Sequence, residues 1–295
     1  MAVTDTLLAY VNGDYVPRDQ ACVPLTDRGL LFGDSVYEVI PAYGGRPFRV
    51  THHLDRLDRS LAAIRMHNPL ARDAWGAMFD HLTAQLPGQD QSVYLQVTRG
   101  DYPVRRQAIP AQVKPNVFAF NALLPQRSPA VAERGIAAIT LDDIRWQRCD
   151  IKAITLLANV LLRQQAADED ALEAILIRDG MAMEGTASNL FIVSNGLLIT
   201  PPDSPELLPG VTRDLVLELA RDGGIPYAQA AIGVAELDSA DEIWVTSSTR
   251  EVTAVVTLNG RPVGNGSPGE LWRRMDALFQ ACKERLRLGG DCHDD

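Results

Sequence analysis

The sequence lacks most of what would tie it to a membrane, a metal or a nucleic acid. No apolar run is long enough to span a bilayer, and the N-terminus has no basic stretch leading into an apolar one. These absences point to a cytoplasmic protein with no membrane partner. Cysteine is scarce: Cys22, Cys149, Cys282 and Cys292 show no metal-ligand spacing, and nothing suggests a disulfide framework in a chain of 295 residues. Positive charge is in deficit, and a net charge of −10 argues against a nucleic-acid surface. Internal repeats and low-complexity segments are absent. What is present is ordinary globular composition, 46% hydrophobic and 22% charged, in a chain long enough for one large domain or two smaller ones. One local exception is the early cluster of Arg46, Arg49, His52, His53, Arg56, Arg59 and Arg65, which in an acidic chain suits a small anionic ligand.

Turn signals divide the rest. Asn12-Gly13, Gly44-Gly45, Asp179-Gly180, Asn195-Gly196 and Asn259-Gly260 each separate apolar runs, as hairpins with positive-φ turns require. Helical periodicity covers about 53–66, with Leu54, Leu57, Leu61 and Ile64 on one face, and about 72–86. The polar stretch from Gly100 to Pro115 reads as a loop between two strands, and such loops often carry binding residues. Two prolines in Pro125-Gln126-Arg127-Ser128-Pro129 mark a linker. Thr212 is a candidate N-cap, and Ser267-Pro268-Gly269-Glu270 reads as a capping box opening a last helix that ends near Leu288. The organisation expected is α+β, because strands and helices do not alternate regularly. A smaller N-terminal α/β domain spans 1–122, a linker 123–130, a larger strand-rich domain 131–288, and a disordered tail 289–295.

The stretch from Asp142 to Val160 holds a lone lysine, Lys152, between a charged segment and an apolar one. Ile154, Ala158, Leu161 and Leu162 recur at helical spacing, which would put Lys152 just before or inside the first turn of a helix. The positive end of the helix dipole would there favour the neutral, nucleophilic amine. Taken alone, such a lysine is more often a surface charge over an apolar face.

Arg145-Trp146-x-Arg148-Cys149-Asp150-Ile151-Lys152 resembles the lysine segment of the class IV, fold type IV pyridoxal-phosphate aminotransferases, most closely that of D-amino-acid transaminases. Further stretches match in order: Asp27-Arg28-Gly29 with Phe32 to Val39, Gln96 to Gly100, Glu184 to Asn189, and Gly210 to Asp214 with Thr246 to Thr249. The resemblance implies a two-domain fold with pyridoxal 5′-phosphate in the cleft between the domains, in a homodimer. It implies transamination between an amino donor such as D-alanine and a 2-keto acid, by a ping-pong mechanism through a Lys152 Schiff base. The expected cofactor residues are Lys152, Glu184 against the pyridine nitrogen, Arg145 near the ring, Ser188, and a phosphate site of Val211, Thr212, Ser247, Ser248 and Arg56. A helix N-terminus with nearby hydroxyls suits an anion on its own chemistry. On residues alone, Arg56 is equally a solvated charge, Glu184 a strand-end glutamate and Tyr37 an ordinary strand tyrosine.

The expected substrate residues are Tyr37, Arg105, Arg106, Gln107, Thr249 and Arg250. Here the match departs. Similar D-amino-acid transaminases carry an Arg-x-His pair after the Thr-Arg-Gly strand end, whereas this chain reads Asp101-Tyr102-Pro103-Val104-Arg105-Arg106-Gln107. Glutamine carries no charge, so the carboxylate trap is weaker or built differently. Branched-chain L-amino-acid transaminase, (R)-amine transaminase and, less well matched, aminodeoxychorismate lyase are alternatives within the class. Outside it stands a cofactor-binding protein without turnover.

Overall fold

The computed structural model describes residues 7–125 and 127–292. Its contacts divide the chain into two compact units: Met1–Leu124 with Ile151–Thr155 and Arg285–Asp295, and Pro125–Asp150 with Leu156–Glu284. Residues 151–155 and 285–288, placed in the second domain on sequence, thus group with the first unit.

The first unit is built on a six-stranded antiparallel sheet. Its strands run in the order Asp14–Pro17, Leu8–Val11, Asn116–Leu123, Gln91–Thr98, Ser35–Tyr43 and Arg46–Pro47. The period-2 pattern sends Val93, Leu95 and Val97 to one face, where they meet Leu54, Leu57 and Leu61 of the helix Val50–Ala63 and Trp75, Phe79 and Leu82 of the helix Arg72–Thr83. On the strand Ser35–Tyr43 the same face receives Val36, Glu38 and Ile40, all fully buried. Tyr37, Tyr94 and Phe120 stack in succession across the neighbouring strands.

In the second unit, the strands Asn189–Ser194, Glu242–Ser247, Glu251–Leu258, Ile136–Asp142, Glu173–Arg178 and Met181–Gly185 pair in that order. The last meets the first at Asn189 and Glu184, so the six form a closed ring. Ile175, Leu190, Ile192, Ile243, Val245 and Val255 fill one core cluster. All five Gly-containing turn pairs adopt positive φ at both positions, and each joins two antiparallel strands.

Three helix starts differ from the sequence reading. Lys152 is not in a helix: the helix runs Leu157–Asp168, and residues 152–154 pair with Ser35–Tyr37. Of the expected apolar face Leu162 is buried, but Leu161 is half exposed, and Ala166 completes the inner face. The helix Val211–Asp222 is capped by Gly210, with Thr212 inside its first turn. The last helix, Glu270–Arg287, is not capped by Ser267, whose hydroxyl bonds to Asn265. Instead the Glu242 carboxylate accepts from Leu271 N and Trp272 N, each at 2.9 Å. A Cβ on Gly269 would lie 2.0 Å from Glu242, so glycine there makes room for this distant cap.

The tail is also ordered further than expected. Gly289 N and Gly290 N bond back to Leu286 O and Arg285 O, and residues 293–295 lie outside the described ones. Cys22 and Cys149 are free thiols, whereas Cys282 and Cys292 are disulfide-bonded, which their spacing did not indicate.

Candidate active site

Lys152 owes its position to an incomplete strand edge. Arg46–Pro47 covers only Ala42 and Tyr43 of its neighbour, which leaves the start of Ser35–Tyr43 open on that side. The segment 151–154 fills it: Tyr37 N donates to Lys152 O at 3.0 Å, Ile154 N donates to Ser35 O at 3.3 Å, and Val36 bridges Ala153. Lys152 N donates to Ser60 Oγ at 3.2 Å. With the backbone held on both sides, the side chain passes over Tyr37, its Nζ 4.4 Å from the ring centroid. A short non-helical tether therefore presents the amine.

His53, Arg56 and Ser60 share one face of the helix Val50–Ala63. Arg56 is neither solvated nor unpaired: it is 3% exposed and donates Nε and Nη2 to the two oxygens of Glu38 at 2.8 and 2.7 Å. His53 Nδ1 lies 2.7 Å from Glu38 Oε2. Burial alone would raise the Glu38 pKa, but the Arg56 guanidinium and His53 hold it well below the usual carboxylate range. Burial lowers His53 in turn, against the pull of Glu38. Glu38 was missed as a site residue, yet a signal existed. Alternation puts it on the apolar face between Val36 and Ile40, where a carboxylate requires a cationic partner.

In the second unit, Glu184 sits where the ring of strands closes. Its Oε1 accepts from Arg145 Nη1 at 2.6 Å, and its Oε2 from Asn189 Nδ2 and Leu208 N, both at 3.1 Å. Burial pushes its pKa up, and Arg145 only partly offsets this. Arg145 is itself fixed by Asp143, which Arg178 also holds. Gly210 completes the support: a Cβ there would lie 1.8 Å from Asn189 Oδ1, so only glycine admits the side chain that orients Glu184. Past Gly210 the helix Val211–Asp222 begins with no side-chain cap. Its first N–H groups, with Thr212 among them, suit an anion. Ser247 Oγ accepts from Arg250 N at 3.2 Å, and the buried hydroxyl of Thr246, which pairs with Asn189 across the sheet, has no hydrogen-bond partner among the described residues.

Several expected residues have other engagements. Ser188 Oγ donates to Glu173 Oε2 at 3.0 Å, and Arg250 Nη1 lies 3.3 Å from the same oxygen and donates to Leu172 O. Glu173 is fully buried and also accepts from Thr186 N. Ser188 and Arg250 are thus both bound to one structural carboxylate that the sequence did not single out. In the first unit, Arg105 places its guanidinium 5.1 Å over the Phe32 ring, and Arg106 Nη2 donates to Tyr102 Oη at 3.1 Å. Arg105, Arg106 and Gln107 are all exposed.

The amino-transferase class IV family matches residues 35–258, and the chain belongs to that family. It is a pyridoxal-phosphate-dependent aminotransferase, and its substrates are an amino donor and a keto acid. Among named relatives, the D-alanine aminotransferase of Bacillus licheniformis is 38% identical over 91% of this chain and 94% of its own length. That of Listeria innocua is 36% identical over 95% of this chain and 97% of its own. Among solved structures, the branched-chain amino acid aminotransferase of Escherichia coli superposes with a TM-score of 0.86 at 26% identity, over 93% of each chain.

The residues fit the cofactor on their own chemistry. A buried carboxylate that Arg145 only partly neutralises suits a protonated ring nitrogen, and an uncapped helix start near an unpartnered hydroxyl suits a phosphate.

Proposed function

We propose that this transaminase moves the amino group between a D-amino acid such as D-alanine and a 2-keto acid. The observation that carries the reading is the run of D-alanine aminotransferases at 34–38% identity over nearly the full chain. The branched-chain enzymes that share the fold stand at about a quarter identity. Within this reading Lys152 would hold the cofactor through its side-chain amine, and that amine, when free, would take the proton from the substrate α-carbon and pass it on to the cofactor. Glu184, steadied by Arg145 and Asn189, would face the ring nitrogen and keep it protonated. The first turn at Val211 and Thr212, with Ser247 and Ser248, would take the phosphate. Arg56 contributes there only as a guanidinium already paired with Glu38. Tyr37 lines the substrate side beneath the lysine, and Arg105 takes the substrate carboxylate, with Arg106, Gln107 and Thr249 as further contacts. When bound, pyridoxal phosphate supplies the sink for the electron pair left on the α-carbon.

The test is a half-reaction series. Mixing holoenzyme with D-alanine, L-alanine, L-leucine and (R)-1-phenylethylamine should bleach its violet absorbance fastest with D-alanine. A faster response to L-leucine would replace the reading with the branched-chain one.

We further propose a homodimer. Leu157, Val160 and Leu161 on the helix Leu157–Asp168 are 71%, 60% and 50% exposed, an apolar stripe that a second copy would cover.

A further inference from the structure

The geometry points to Arg28 as a positioning residue that, with Phe32, sets the loop carrying Arg105. The inference rests on the reading that this loop takes the substrate carboxylate.

The loop from Gly100 to Pro115 has almost no regular structure, so something must fix the path of its backbone. Its two ends are tied to one residue. Asp27 Oδ2 accepts from Thr98 Oγ1 and from Asn116 Nδ2, both at 2.6 Å, and its Oδ1 caps Gly29 N at 2.7 Å. The neighbouring residue ties the tip. Arg28, 3% exposed, donates Nη1 to Arg106 O at 2.7 Å and Nη2 to Gln107 O at 3.0 Å. Its Nε donates to Asp34 Oδ2 at 2.8 Å, an oxygen that Arg99 Nε shares at 2.7 Å. All three nitrogens of one planar group are therefore engaged, and the plane fixes two successive carbonyls of the loop.

That plane also lies against Phe32, whose ring centroid is 4.8 Å from Arg28 Cζ and 5.1 Å from Arg105 Cζ. The backbone at 106–107 and the guanidinium at 105 thus have a common support. An ammonium cannot reproduce it, because a single nitrogen cannot span two carbonyls while bonding Asp34.

Two variants test the inference, each as holoenzyme. In Arg28→Lys, limited trypsin digestion should cut after Arg105 or Arg106 roughly tenfold faster than in wild type. The KM for D-alanine and for a 2-keto acid should rise about tenfold while kcat changes little, and (R)-1-phenylethylamine should be unaffected. Phe32→Leu, which leaves the buried ion pairs in place, should raise the same KM values roughly threefold and serves if Arg28→Lys does not fold. Wild-type cutting and wild-type KM in Arg28→Lys, or wild-type KM in Phe32→Leu, overturn the inference. Faster cutting with unchanged KM for carboxylate substrates overturns instead the reading on which it rests, since the loop would be held yet not used.

Discussion

The chemistry proposed here depends on a few single atoms. Lys152 contributes its backbone to the edge of Ser35–Tyr43 and, in the proposed reaction, its Nζ to the chemistry, so Lys152→Ala should remove transamination and the violet absorbance while leaving the melting temperature close to wild type. Retained turnover would displace it from the reaction. Glu184→Gln keeps an oxygen for Arg145 but puts an amide NH2 where Oε2 accepts from Asn189 and Leu208 N, and it loses the charge that would hold a proton on the ring nitrogen. Its kcat should fall by roughly a hundredfold, about 3 kcal/mol in the barrier, with cofactor still bound; unchanged kcat would show that another group faces that nitrogen. Arg105→Ala should raise KM for amino and keto acids by roughly tenfold to a hundredfold, and far less for a simple amine. Arg250→Ala should act differently, because its guanidinium is on Glu173 and Leu172, and its effect should fall on melting temperature before KM.

At the scale of elements, the Glu38, His53 and Arg56 cluster joins a strand to a helix through buried charge. Glu38→Gln leaves the Arg56 guanidinium buried without its anion, a loss of about 3–5 kcal/mol on unfolding. The pH dependence has a definite sign. Glu38 is depressed in the fold, so its contribution is complete above the ordinary glutamate range and is lost only as pH falls well below it. His53 is also depressed: below about pH 6.5 the unfolded chain binds a proton that the folded chain refuses, so stability rises with pH through that range. Melting temperature measured from pH 5 to pH 8 should climb, and His53→Asn should flatten the climb.

Which elements were legible follows from the range of the interactions that make them. The five hairpins depend on two residues each, Asn-Gly, Asp-Gly or Gly-Gly, and could be read locally. The cap of the last helix could not, because Glu242 lies far from Leu271 in sequence and Ser267 offered a plausible local substitute. The non-helical path at Lys152 was hidden for the same reason. Apolar residues at helical spacing around 154–162 are real, but the open edge at Ser35–Tyr37 claims the first four residues after Asp150. Glu184 was read from its neighbours, while the Asn189–Gly210 contact that orients it needs two segments brought together.

For the whole molecule, the apolar stripe at Leu157, Val160 and Leu161 predicts self-association. Light scattering coupled to size exclusion should give twice the chain mass of 32.2 kDa, and a triple substitution of the stripe to serine should shift the mass toward that of a single chain. A monomeric wild type with full activity would leave the stripe without a partner copy.

The return of residues 151–155 to the first unit has a consequence for synthesis. A ribosome that has released the first 124 residues has delivered an unfinished sheet, with the edge at Ser35–Tyr37 bare and open to pairing with another nascent chain. The segment that covers this edge is the one that carries the lysine. A truncated product ending before residue 151 is therefore exposed to aggregation, and nascent chains of this enzyme need protection until the segment around Lys152 has emerged.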